Sequence, residues 1–329
     1  MRVPIGIVGF GSYLPGRTVT NAEVASWSGT TEDWIETATG IRERRYADDN
    51  EATSDLAIAA ARAALGDDEG LRSRLAAIVL ATSTPDQPQP ATAALVQRAL
   101  GLPGVPSFDL NAVCSGFLYA LTIVEAMLTR SAPDATALVI GADKYSAIMN
   151  RADRRTVSLF GDGAGAVVLG QVPDGYGIHA THLITDGQYS EMIEVPGGGT
   201  RRPVGSPGTT EQDLLFRMNG FAVREYVLRT LPAAVHAVLG TAGMKLSEID
   251  RLIVHQANPN LVELCAAELG VPLEKVPLTA VELGNTAVAS VPVTLDSAHR
   301  RQPLRRGERI LLAAVGGGLS TGAVLLTWY

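Results

Sequence analysis

Three short runs constrain this chain more than anything else in it. Residues 77–82, 137–142 and 166–169 are apolar at nearly every position. Alternating apolar and polar residues would mark a strand with one wet face, whereas a continuous run marks a strand covered on both faces. Helical patterns lie before and between them, over residues 57–65, 92–100 and 117–128. Buried strands separated by helices predict an α/β fold with helices on both faces of its sheets.

The second half echoes the first. Leu110-Asn111-Ala112-Val113 returns as Leu278-Thr279-Ala280-Val281, and Gly165-Ala166-Val167-Val168-Leu169 returns as Gly322-Ala323-Val324-Leu325-Leu326. The shared order predicts two similar halves, 1–172 and 173–329, each with a mostly buried sheet. A length of 329 residues, 46% of them hydrophobic, suits two such halves. Residues 186–215 are rich in Gly, Pro and Thr without periodicity, and predict a long surface loop that forms a lid or binding wall.

Several classes are excluded. No apolar run reaches the roughly 18 residues of a membrane span. The net charge is −7 with no long basic run, which argues against nucleic acid. Two cysteines make no disulfide framework and fit a reducing cytoplasm. Gly9-Phe10-Gly11 lacks the third glycine of a dinucleotide fingerprint, and Tyr13-Leu14-Pro15 opens no helix. His179 and His182, three apart in an extended segment, face opposite sides and do not suit one metal. Cys265 lies in an apolar helix and reads as core.

Cys114 stands out. The apolar stretch 105–110 runs into Asn111-Ala112-Val113-Cys114-Ser115-Gly116, and a helical pattern leaves it. That puts the cysteine at a strand-to-helix turn, where free backbone N–H groups and the helix dipole favour a thiolate. His255 and Asn285 also follow apolar strands, so the three can meet beyond one set of strand ends.

Taken together the motifs resemble the thiolase superfamily, and within it β-ketoacyl-acyl-carrier-protein synthase III. The likeness rests on Asp33-Trp34-Ile35, Thr39-Gly40-Ile41-Arg42, the Cys114 turn and Phe160-Gly161-Asp162-Gly163-Ala164-Gly165. It continues through His255-Gln256-Ala257-Asn258, Gly284-Asn285-Thr286 and Gly316-Gly317-Gly318. The resemblance implies a thiolase-like fold: two similar α/β halves, each with a mixed five-stranded sheet, layered α-β-α-β-α. It also implies decarboxylative Claisen condensation of a Cys-bound acyl group with malonyl-acyl carrier protein, in fatty-acid or polyketide biosynthesis. A thiolase would carry a second cysteine where this chain has Ala314, and elongating relatives a second histidine where it has Asn285.

By the same resemblance Cys114, His255 and Asn285 are catalytic, and the N–H groups of Cys114 and Gly317 form an oxyanion hole. Trp34, Arg154 and Asn258 bind the acyl donor, and Val315 and Phe160, with Gln89 reaching in from across the dimer interface, shape the acyl pocket. No cofactor is held permanently; acyl-coenzyme A or an acyl-carrier phosphopantetheine arm enters as substrate, and the chain pairs as a homodimer in the cytoplasm. Two alternatives stay open: an acyltransferase of the same fold that forms no carbon–carbon bond, and a silent partner of a synthase complex. The chain departs from the family at Ala38 and Asn260, where arginines flank the donor, and at Gln89, Val315 and Thr321, where aromatics stand. Those departures point to a specialised member with a weaker grip on coenzyme A.

Overall fold

The structure, a computed structural model, describes residues 3–329. Two mixed sheets carry it. The first holds β1 (Ile5–Tyr13), β2 (Leu75–Ala81), β3 (Ser107–Leu110), β4 (Thr136–Asp143) and β5 (Gly163–Gln171), in the order β1-β5-β4-β2-β3. β2 is parallel to β3 and β4, and β5 is antiparallel to β4 and β1. The second holds β6 (Gly177–Thr185), β7 (Arg251–Val254), β8 (Arg309–Gly316) and β9 (Ser320–Thr327), in the order β7-β8-β9-β6.

The continuous apolar runs are explained by what lies on each side of them. Along β2, Ile78 and Leu80 face one core while Ala77, Val79 and Ala81 face another, the period of two that a strand imposes. Helices α1 (Glu32–Thr39), α2 (Thr53–Leu65), α3 (Thr92–Ala99), α4 (Gly116–Leu128), α5 (Gly220–Ala242), α6 (Pro259–Leu269) and α7 (Ser290–Arg301) complete the layers. α2 and α3 cover the outer face of the first sheet. α5 and α6 cover the outer face of the second, to which Leu311, Ala313 and Val315 point. Between the sheets, α4 and α7 bring Phe117, Leu121, Val291 and Leu295 against Val139, Val167, Leu312 and Val324. The layering is α-β-α-β-α. The central helices come close enough to demand glycine: a Cβ on Gly165 would lie 2.7 Å from Cβ of Pro292.

Three expectations change. The second sheet has four strands, not five. The stretch that would supply the fifth contains Pro277, which has no N–H to donate to a ladder. The Gln256 side chain takes over instead, donating to the Pro277 carbonyl at 3.1 Å and accepting from Thr279 N at 2.9 Å. The strand before Cys114 starts at Ser107, not at 105. The long loop is partly ordered: Gly187–Met192 is a 3-10 turn, and Ile193–Glu194 pairs antiparallel with Arg217–Met218.

Candidate active site

The Cys114 turn is built from a short, strained motif that occurs twice. After β3, Asn111 Oδ1 accepts from Val113 N at 3.1 Å, Val113 has φ +48°, and a 3-10 turn, Val113–Ser115, leads into α4. Asn285 Oδ1 likewise accepts from Ala287 N at 2.9 Å, Ala287 has φ +48°, and a 3-10 turn, Ala287–Ala289, leads into α7. The repeat of the Cys114 turn is therefore Asn285–Ser290. Residues 278–281 repeat only the approach to it and run into the helical segment Ala280–Leu283, which precedes the turn. A left-handed conformation at a β-branched residue such as Val113 is costly, and it survives because the packing around it leaves no alternative. Cys114 follows Val113 as Val288 follows Ala287.

Three separate parts of the chain hold the other groups. His255 continues past β7, its backbone N–H donating to the Ala313 carbonyl at 2.8 Å, and its Nδ1 lies 2.6 Å from Ser290 Oγ. Asn285 is clamped by its backbone: its N–H donates to Leu159 O at 2.8 Å and its carbonyl accepts from Gly161 N at 3.0 Å. The Phe160–Gly165 motif earns its position here. Asp162, buried within it, accepts from Ala47 N at 2.8 Å and Ser146 N at 2.9 Å, and burial pushes its carboxyl up to about 6. Because a backbone N–H needs an acceptor, Oδ1 of Asn285 is the end bound to Ala287, and Nδ2 is left to the cavity. The glycine triplet ends β8 against the Cys114 turn: a Cβ on Gly316 would lie 2.8 Å from the backbone nitrogens of both Cys114 and Ser115.

Cys114, His255, Asn285, Phe160 and Val315 line one apolar cavity of about 60 Å³. One wall is aromatic: Tyr145 stacks on Phe160 with centroids 4.5 Å apart, and Phe216 meets Phe160 edge-on at 4.9 Å. The other wall is Val315 with Val227, Leu261, Val262 and Cys265, between the second sheet and α5 and α6. A wide groove leads in from the surface, lined by Trp34, Ala38, Asn258, Asn260, Arg155 and Arg224, and it shares Asn285, Ala257 and Met218 with the cavity. Asn258 also caps α6, accepting from Leu261 N at 2.9 Å. Asn260 donates to the Thr37 carbonyl at 3.1 Å. Arg154 lies over the Trp34 ring, 4.8 Å from its centroid. Gln89 is exposed and does not line the cavity within this single chain.

The electrostatics correct one expectation. Cys114 is only 8% exposed, and burial, reinforced by nearby Asp143, pushes its thiol far above the ordinary range. Desolvation of a thiolate here outweighs the helix N-terminus, so the resting group is the thiol. Burial acts on His255 too, lowering its pKa to about 4 and keeping the ring neutral. Asp143, fully buried at the end of β4, accepts from Ser83 N at 2.8 Å, Thr84 N at 3.0 Å and Val288 N at 3.2 Å, tying the first sheet to the α7 turn. Asp143, Ser290 and the Tyr145–Phe216 wall were not singled out from sequence. The one available signal was that Asn111 recurs at Asn285 with the same spacing to a helix start.

Comparison with known proteins agrees with this geometry. The family described as "3-Oxoacyl-[acyl-carrier-protein (ACP)] synthase III" matches residues 108–187, and its C-terminal counterpart matches residues 239–328. The "Acetoacetyl CoA synthase NphT7" of Streptomyces sp. (strain CL190) is 45% identical over 98% of each chain. A "Beta-ketoacyl-[acyl-carrier-protein] synthase III 3" of Streptomyces coelicolor is 42% identical over 98% of this chain and 96% of that protein. The crystal structure of the priming β-ketosynthase from the R1128 polyketide biosynthetic pathway superposes with a TM-score of 0.91, at 31% identity, over 99% of this chain and 97% of the other.

Proposed function

The chain belongs to the 3-oxoacyl-[acyl-carrier-protein] synthase III family of thiolase-like condensing enzymes, and from that premise we propose how its own residues divide the reaction. The observation that carries the proposal is that Cys114, His255 and Asn285 line one cavity at the end of one groove. Cys114 Sγ attacks an acyl thioester, the old carbon–sulfur bond breaks, and the thiol proton ends on the departing thiol. The N–H groups of Cys114 and Gly317 receive the oxyanion, and the close seat of Gly316 on the Cys114 turn supports that placement. A malonyl thioester then enters. Its carboxyl leaves as carbon dioxide, and the electrons of the broken carbon–carbon bond pass into an enolate. His255 Nε2 and Asn285 Nδ2 donate to that oxygen, and the enolate carbon attacks the acyl–Cys114 carbonyl; the carbon–sulfur bond to Cys114 breaks, its sulfur leaves as a thiolate that takes a proton from water, and a β-ketoacyl thioester is released.

The groove is where the thioester arms enter, with Trp34, Arg154 and Asn258 on the donor's path. The loop carrying Gln89 meets a second copy of the chain in a homodimer, its exposure being the supporting feature. The two free thiols suit a reducing cytoplasm. Acyl carrier protein brings the malonyl group. A second reading has its own support: one relative is named an acetoacetyl CoA synthase, and Arg155 and Arg224 line the groove where phosphates would pass. In it both thioesters ride on coenzyme A.

The test is acylation followed by condensation. An acyl adduct on Cys114, absent in Cys114→Ala, and carbon dioxide release with a β-keto product support the assignment. Acyl transfer without decarboxylation would overturn condensation, and no adduct at all would leave a silent partner. Malonyl presented on coenzyme A and on carrier protein separates the two readings. Elution as a monomer in light scattering would remove the dimer.

A further inference from the structure

We propose that Ser290 is a positioning residue for the condensation step: its hydroxyl donates to His255 Nδ1 and holds the imidazole as the tautomer with its proton on Nε2, facing the cavity. The inference rests on the reading of His255 as a donor to the enolate.

Ser290 is the first residue of α7 and is 1% exposed. Its oxygen has two partners, His255 Nδ1 at 2.6 Å and Gln256 N at 3.3 Å. The backbone N–H of Gln256 can only donate, so it occupies one lone pair of the oxygen. If Nδ1–H also donated, the hydroxyl proton would have no acceptor among the described residues, in a place closed to solvent. Buried hydroxyls are rarely left that way. If the hydroxyl donates to Nδ1, every atom is satisfied, and the ring's one proton must sit on Nε2. Nε2 has no partner among the described residues, while the ring lines the cavity. Burial keeps the imidazole neutral, so it does not gain a second proton near pH 7.

The oxygen itself is held in place from both sides. Ser290 follows the strained turn at Ala287, and Gln256 is anchored by donation to Val254 O at 3.0 Å and Pro277 O at 3.1 Å. An Nε2–H nitrogen can donate but cannot accept. The same ring therefore does not serve as the base for Cys114, in keeping with a thiol proton that ends on the departing thiol.

The test compares Ser290→Ala with Ser290→Thr in the full chain. Loading of Cys114 from an acyl-coenzyme A should stay within about twofold of the parent in both. Carbon dioxide release from malonyl thioester should fall roughly tenfold or more in Ser290→Ala, since a triad whose orienting group is lost suffers from the wrong tautomer. Ser290→Thr should recover most of it. In ¹⁵N-histidine NMR the parent should show His255 with its proton on Nε2, and Ser290→Ala a mixture. A parent spectrum with the proton on Nδ1 would overturn the proposal without any variant. So would a Ser290→Ala enzyme that decarboxylates at the parental rate, or one that loses both half-reactions equally. Undiminished decarboxylation by His255→Ala would instead remove the underlying reading of the histidine.

Discussion

Asn285→Asp is the sharpest probe of the site, because it changes one atom and leaves the rest of the turn intact. The aspartate keeps Oδ1 for Ala287 N, now 2.9 Å away, and the backbone clamps to Leu159 and Gly161 do not involve the side chain. The cavity-facing Nδ2 becomes an oxygen, so a donor to the enolate is replaced by a group that repels it. At 4% exposure little water is available to compensate. Losing one preorganised donor to a developing oxyanion costs about 2.7–4 kcal/mol, or about 10²–10³ in rate. Carbon dioxide release from labelled malonyl thioester should fall by that factor, while the acyl adduct on Cys114, followed by intact mass, should form at close to the parental rate. Acylation falling as far as decarboxylation would refute the division of labour between Asn285 and the oxyanion hole.

Four further outcomes follow from the same geometry. Since burial holds the Cys114 thiol well above its usual range, alkylation by iodoacetamide should rise about tenfold per pH unit from pH 7 to 9; a plateau below pH 8 would mean that the helix N-terminus prevails. His255, with its pKa lowered to about 4, should leave decarboxylation flat from pH 6 to 8, and a midpoint near 6.5 would contradict its burial. Its folded-state pKa lies below the unfolded value, so its contribution to stability is complete above about pH 6.5 and is lost as pH falls toward 4. That amounts to no more than about 3 kcal/mol in urea titrations, because the ring opens on the cavity. Val315→Phe should fill much of the cavity of about 60 Å³ and cut loading by donors longer than acetyl about tenfold or more, overpacking costing typically 1–3 kcal/mol; an unchanged donor profile would place the acyl chain elsewhere.

The sequence by itself determined the buried strands, because a strand covered on both faces must be apolar at every position, and that signature is local. It also made the fold family legible through an ordered set of motifs, and that resemblance, not any one residue, singled out Cys114, His255 and Asn285 as candidates. Only the tertiary structure decided what those residues experience. The thiolate expected of a helix N-terminus gives way to a buried thiol, because desolvation depends on everything packed around Sγ, Asp143 included. The fifth strand of the second sheet is lost to Pro277 and replaced by one side chain, Gln256, from 21 residues away. Gln89, expected at the acyl pocket from across a dimer interface, is exposed in the single chain, and how subunits stack is not written in a local pattern. Ser290 shows the limit most plainly: a serine at a helix start reads as a cap, and only the crossing of α7 beside β7 brings its oxygen to a histidine 35 residues earlier.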